Sequence, residues 1–161
     1  MFELPARNEA LTKPALYTEL VEQARALLAG EPNEIARAAN FAALVFHGVP
    51  DLNWAGFYLF DGIELVVGPF QGKPACVRIA LGRGVCGTAA QTGKTQLVQD
   101  VHAFPGHIAC DSASNSEIVV PMFRHDKLLG VWDVDSPTLS RFDAEDQIGM
   151  EALVQVFLQH L

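Results

Sequence analysis

The chain has 161 residues, half of them apolar, and a formal net charge of -8 at pH 7. That length and apolar content predict one folded domain over residues 1–161 with a substantial core, and exclude a disordered segment. The acidic balance excludes sequence-independent nucleic-acid binding, which needs Lys and Arg against phosphates, and disfavours anionic membrane surfaces.

No apolar run approaches the roughly 20 residues that span a bilayer. The first residues, MFELPARNEAL, lack the basic start and apolar core of a signal peptide. A cytoplasmic location is therefore expected.

Residues 14–29 carry Leu16, Leu20, Ala24, Leu27 and Leu28 on one helical stripe, with Pro14 suited to the first turn and Gly30 to the stop. Residues 33–47 predict a second helix with Ile35, Ala38, Ala39, Ala42, Val45 and Phe46 on its apolar face. His47 falls at the end of that helix, where a cation suits the dipole.

From Asn53 the period changes to two. Trp54, Gly56 and Tyr58 share one face of a strand, and Gly56 between the aromatics leaves an opening. Asp61-Gly62 marks a hairpin turn. A second strand over 63–70 and a third over 75–81 follow, which makes an antiparallel meander. The third strand puts Cys76 and Arg78 on one face.

Residues 82–94, GRGVCGTAAQTGK, read as a short helix opened by a glycine-rich turn; neither GxGxxG nor P-loop spacing is present. Cys86 falls in its first turn, where the helix dipole would lower a thiol pKa. A short strand over 95–100 leads into residues 100–117, DVHAFPGHIACDSASNSE. This polar run holds Cys110 with His102 and His107 nearby and has little helical or strand pattern. A loop this long in a compact domain is usually functional or disordered, and the apolar runs on both sides favour an ordered loop closing over a pocket.

Strands over 118–123 and 128–135 follow, separated by a turn at 125–127. Strict alternation in the second puts Leu129, Val131, Asp133 and Asp135 on one face and Leu128, Gly130, Trp132 and Val134 on the other. A final helix runs over 144–158, with Asp143 as N-cap. The order is α+β: an antiparallel sheet with three amphipathic helices on one face, leaving the other face for the small helix, the loop and a pocket.

Several residues could carry chemistry. Asp133 and Asp135 point to one face about 7 Å apart, either solvated at a fraying strand end or lining a pocket as a carboxylate pair. Trp54 and Tyr58 are core residues or an aromatic wall for a methyl, sulfonium or ammonium group. Glu117, the last polar residue before the 118–123 strand, reads as a solvated loop-end charge. The three cysteines, Cys76, Cys86 and Cys110, are an odd number without a secretion signal, so a disulfide framework is not expected. Without CxxC or HxxxH spacing, a structural zinc site is not expected either. They are inert buried thiols or redox groups. Cys110 has Asp111 beside it, and a carboxylate raises a thiol pKa. A substrate bringing its own positive charge, such as an amino acid, would resolve that conflict.

NWAGFY at 53–58, GPFQGKPAC at 68–76, GRGVCG at 82–87, VQDVHAFPGHIACDSASNSE at 98–117 and GVWDVDSP at 130–137 together resemble the free methionine-(R)-sulfoxide reductases, which are single GAF-domain enzymes. The resemblance covers nearly the whole chain and includes all three cysteines, a set that ordinary sensor GAF domains lack. It implies a GAF fold, with helices on one sheet face and a loop-covered ligand pocket on the other. It implies that Cys110 attacks the sulfoxide sulfur and becomes a sulfenic acid. Cys76 would then resolve it as a disulfide, Cys86 could serve as a second resolving thiol, and thioredoxin would restore the thiols. Glu117, Asp133 and Asp135 match substrate-binding carboxylates, Asp135 facing the sulfoxide oxygen, and Trp54 and Tyr58 match the aromatic wall. The resemblance implies no metal and no cofactor beyond an external dithiol, and a homodimer is one expectation. A stand-alone GAF sensor and an oxidant-responsive thiol switch are the rival readings.

Overall fold

The structure is a computed structural model in which residues 11–106 and 112–159 are described. Helix α1 spans Lys13–Leu28 and α2 spans Glu34–Gly48. Strand β1 is Trp54–Phe60, β2 is Leu65–Gly72 and β3 is Arg78–Ile79. Helix α3 is Gly84–Thr92, and β4 is Gln96–Val98. Strands β5, Ser116–Arg124, and β6, Lys127–Ser136, precede the last helix α4, Ala144–Gln159.

Local chemistry explains these boundaries. The Asn33 side chain accepts a hydrogen bond from the Ala36 N–H and starts α2. Asp61 Oδ1 accepts the N–H groups of Ile63 and Glu64 and turns β1 into β2. Gly93 ends α3 in the left-handed conformation that favours glycine.

The six strands form one antiparallel sheet in the order β3-β2-β1-β6-β5-β4. Period-two alternation separates the two faces. Ala55, Phe57, Ile118, Val120, Trp132 and Val134 pack against α1, α2 and α4. Trp54, Tyr58, Val119 and Val131 face the other way, toward α3. The α+β architecture and the one-sided helix layer are as the sequence predicts.

Three expectations are corrected. Ile35 is 71% exposed, while Phe41 and Leu44 carry the buried face of α2. The third strand keeps only two residues, because the chain between Lys73 and Cys76 leaves the ladder and is held by Trp54 and Tyr58, while the Val77 carbonyl still accepts the Val67 N–H. Strict alternation in β6 fails at Leu129. Met122 pairs with Gly130 but Phe123 pairs with Leu128, so Leu129 is the extra residue of a bulge. Leu129 therefore packs with the helix-covered core and Leu128 with the opposite face.

Candidate functional site

Sheet register assembles the site. Trp54 of β1 lies opposite Asp135 of β6, and Asp135 lies opposite Glu117 of β5. Two residues along, Gly56 is opposite Asp133 and Asp133 is opposite Val119. Cross-strand partners share a face, so one row carries an indole and two carboxylates, and the adjacent row adds a third carboxylate. The α3 helix lies over this face and lowers Cys86 onto it. The Cys86 thiol donates to Glu117 Oε1 at 3.8 Å.

These groups line a cleft with about 530 Å³ of atom-free space, part of it continuous with solvent. Trp54, Tyr58, Arg83, Cys86, Ser114, Glu117, Asp133 and Asp135 all contribute to its wall. Glu117 is 7% exposed and Asp133 5%, so neither is a solvated strand-end charge. Asp133 Oδ1 has no hydrogen-bond partner among the described residues. A buried carboxylate oxygen left without a donor is costly, which marks the position as one built for a ligand.

The electrostatics follow from burial. Glu117 is held well above the usual carboxylate range, first by burial and then by the charges of Asp133 and Asp135. Asp133 is pushed up to about 6 by burial, while the side chains of Cys86 and Glu117 and the Val134 N–H hold it lower. Both carboxyls therefore hold their protons more tightly than a solvated carboxyl does. The Cys86 thiol is also pushed well up, by burial and then by Asp133 and Glu117. This reverses the expectation from the helix dipole. Partial positive charge at a helix start is outweighed where the thiol is dry and faces carboxylates.

Trp54 stacks on Tyr58 at 5.8 Å and on Phe70 at 5.2 Å. The opening expected at Gly56 is absent: a Cβ there would meet Phe70 Cβ at 2.3 Å, so Phe70 already occupies the space. The two aromatics also hold the segment above them. The Trp54 Nε1–H donates to the Lys73 carbonyl at 3.1 Å, and the Tyr58 hydroxyl donates to the Cys76 carbonyl at 3.0 Å. Cys76 is disulfide-bonded and Cys86 is free.

Cys110, with His107 and Asp111 beside it, lies outside the described residues. The described parts of its loop are anchored to the sheet. Val101 N–H donates to the Asn115 carbonyl, His102 Nε2 lies 3.1 Å from Asn115 Oδ1, and Asn53 Nδ2 donates to Ser114 Oγ at 3.0 Å. His102 is thus tied to the loop's stem and does not line the cleft. Sequence reasoning overlooked Ser114 and Arg83 as wall residues. Arg83 was visible as the one cation inside GRGVCG; Ser114 carried no signal among the loop's serines.

Cys86, Glu117 and Asp133 offer ligand atoms within 4.8 Å of one another. Burial raises the proton affinity of all three groups, which works against binding a cation. No helix among the described residues is long and apolar enough to cross a membrane.

Fold and acidic cleft together define a ligand-binding GAF module, and the GAF domain family model matches residues 16–161. The chain is 51% identical to the free methionine-R-sulfoxide reductase of Escherichia coli (strain K12) over 144 residues, 89% of this chain and 87% of that one. It is similar to the free methionine-R-sulfoxide reductase of Neisseria meningitidis solved with its substrate: 43% identity, TM-score 0.91, covering 98% of this chain and 95% of that one. A Burkholderia vietnamiensis structure labelled a GAF sensor is 70% identical with a TM-score of 0.91, over 93% of this chain and 96% of that one. The chain belongs to the free methionine-(R)-sulfoxide reductase family, a family of oxidoreductase enzymes built on the GAF fold.

Proposed function

We propose that this protein reduces free L-methionine (R)-sulfoxide to L-methionine with a cysteine nucleophile and recycles its thiols through thioredoxin. The observation that carries the reading is the buried carboxyl cluster, in which Glu117 and Asp133 both hold a proton more tightly than solvated carboxyls. Such a pair serves a zwitterionic sulfoxide in two ways. Asp133 receives the ammonium group, whose charge offsets the acidity of the cleft. Glu117, directly across the ladder from Asp135, supplies a proton where Asp135 meets the sulfoxide oxygen.

The chemistry balances. The Cys110 sulfur attacks the sulfoxide sulfur while the oxygen is protonated. The oxygen ends on Cys110 as a sulfenic acid, and methionine leaves as the thioether. The cysteine sulfur is oxidised as the sulfoxide sulfur is reduced. Cys76 then attacks the sulfenic sulfur, water departs and a disulfide remains, which an external dithiol opens. The disulfide at Cys76 supports its assignment as the resolving thiol. Cys86, buried with its proton held, is proposed as a secondary thiol only. Trp54 and Tyr58 form the wall beside the reacting sulfur, and Tyr58 also holds the Cys76 carbonyl.

Free rather than peptide-bound substrate follows from charge, because a residue within a chain has no ammonium group. Steady-state kinetics with N-acetyl-methionine sulfoxide test this. Its kcat/KM should fall by about 100-fold or more, the effect of leaving a buried carboxylate unpaired. Equal kinetics for blocked and free amino acid would contradict the reading.

A further inference from the structure

A protein dithiol can open a disulfide only where its thiolate reaches one of the two sulfurs. The chain around the half-buried Cys76 is built to be met from outside. Three of its carbonyls are tied to the sheet. The Lys73 carbonyl accepts from Trp54 Nε1–H, the Cys76 carbonyl from the Tyr58 hydroxyl and the Val77 carbonyl from the Val67 N–H. A segment fixed in this way loses little freedom when a partner lands on it.

The strand that continues the segment, β3, is the edge of the sheet. Val66 lies opposite Arg78, and the Val67 N–H donates to the Val77 carbonyl. In an antiparallel ladder that makes Val66 and Arg78 a non-hydrogen-bonded pair, so the Arg78 N–H and carbonyl point away from β2. No described residue pairs with them there. Such an edge is a template for a strand of another chain.

Side chains indicate which chain fits. Val77, immediately beside Cys76, is 61% exposed and offers an apolar contact. Charge narrows the choice further. Residues 65–99 hold Lys73, Arg78, Arg83 and Lys94 and no Asp or Glu, on a chain of net charge -8. Arg78 is held by Asp61 and Glu64, while Lys73 and Arg83 are exposed on the rim of the cleft. A partner with an apolar contact patch and an acidic rim complements this corner.

We propose that the dithiol protein that reopens the Cys76 disulfide docks on the β3 edge, covering Val77 and pairing its backbone with the outward peptide groups of Arg78. This rests on the reductase reading above and names the surface through which its electrons enter. One partner thiolate attacks the Cys76 sulfur, and the other half of the disulfide leaves as a thiolate and takes a proton. The partner's second thiolate then attacks its own sulfur in the mixed disulfide. Cys76 leaves reduced, and the partner carries away the disulfide and with it the two-electron oxidation.

The test compares two reductants on full-length wild-type, Val77→Glu, Arg78→Pro and Arg78→Ala enzymes with free methionine (R)-sulfoxide. One is thioredoxin with its reductase and NADPH; the other is dithiothreitol, which needs no docking strand. Proline removes only an N–H that the ladder does not use. Val77→Glu and Arg78→Pro should each raise the KM for thioredoxin about tenfold and Arg78→Ala less than about twofold, while dithiothreitol-supported rates stay within about twofold. Val77→Glu decides the matter if the proline variant folds poorly, because it alters a surface side chain and spares the backbone. An unchanged thioredoxin KM in Val77→Glu, losses of equal size with both reductants, or wild-type turnover with dithiothreitol alone overturns the inference and leaves the sulfoxide chemistry standing. No wild-type turnover with either reductant overturns both.

Discussion

Glu117 on β5 and Asp135 on β6 sit directly opposite each other in an antiparallel ladder, and Asp133 lies one row away on the same face. Like charges placed so are destabilising in a sheet, and burial adds to the cost. Burial and the charges of Asp133 and Asp135 raise the Glu117 pKa, which eases the repulsion. The strain is tied to the site and has a measurable sign.

Both Glu117 and Asp133 hold a proton more tightly folded than unfolded. The stability linked to that proton is fully present below the unfolded carboxylate range and is lost as pH rises through the folded values, about 6 for Asp133. Asp133→Asn removes the penalty. It should stabilise the protein at neutral and higher pH by up to about 3 kcal/mol, with little gain near pH 4. Thermal melts at the two pH values check this. A destabilised variant at high pH would contradict it.

Activity should depend on the same protons in the opposite sense at each end. Below about pH 6 Asp133 becomes neutral and loses its hold on the ammonium, so kcat/KM should fall toward tenfold per pH unit. On the alkaline side kcat should fall once Glu117 gives up its proton. A pH–rate profile that is flat from about 5 to 9 would show that neither carboxyl takes part.

The cysteines separate by environment. Cys86 is buried with its proton held, whereas Cys76 is half-buried and disulfide-bonded. Cys76→Ser should lower the thioredoxin-supported rate by about tenfold or more, and Cys86→Ser by less than about threefold. A reversed order would move the resolving role to Cys86.

Much of this was legible in the sequence because it depends on short-range periodicity. Alternation put Trp54 with Tyr58 and Asp133 with Asp135, and three 3.6-period stripes foretold the helices that cover the opposite face. The shift at Leu129 was not legible: a bulge is a property of two paired strands, and only β6 against β5 reveals the extra residue. Glu117 joins the carboxylate row through its register with Asp135, a non-local fact that the residues before the family resemblance could not supply. The sign of the Cys86 shift failed for a related reason. A helix start argues for a lower pKa, but Asp133 and Glu117 arrive from distant strands.

The bulge offers a test of the fold itself. Gly130, at φ +152°, lies against β1, and a Cβ there would meet the Tyr58 carbonyl oxygen at 2.1 Å. Gly130→Ala should cost about 3 kcal/mol and lower the melting temperature by roughly 6–12 °C. A melting temperature within about 2 °C of wild type would mean that β1 and β6 do not approach so closely.

The most direct test of the central claim is NADPH consumption in the presence of thioredoxin and its reductase. Free L-methionine (R)-sulfoxide should drive oxidation catalytically in the wild-type enzyme, its (S) epimer should not, and Cys110→Ser should abolish the signal. Substrate-independent consumption, equal rates with both epimers, or sustained turnover by Cys110→Ser would contradict the account.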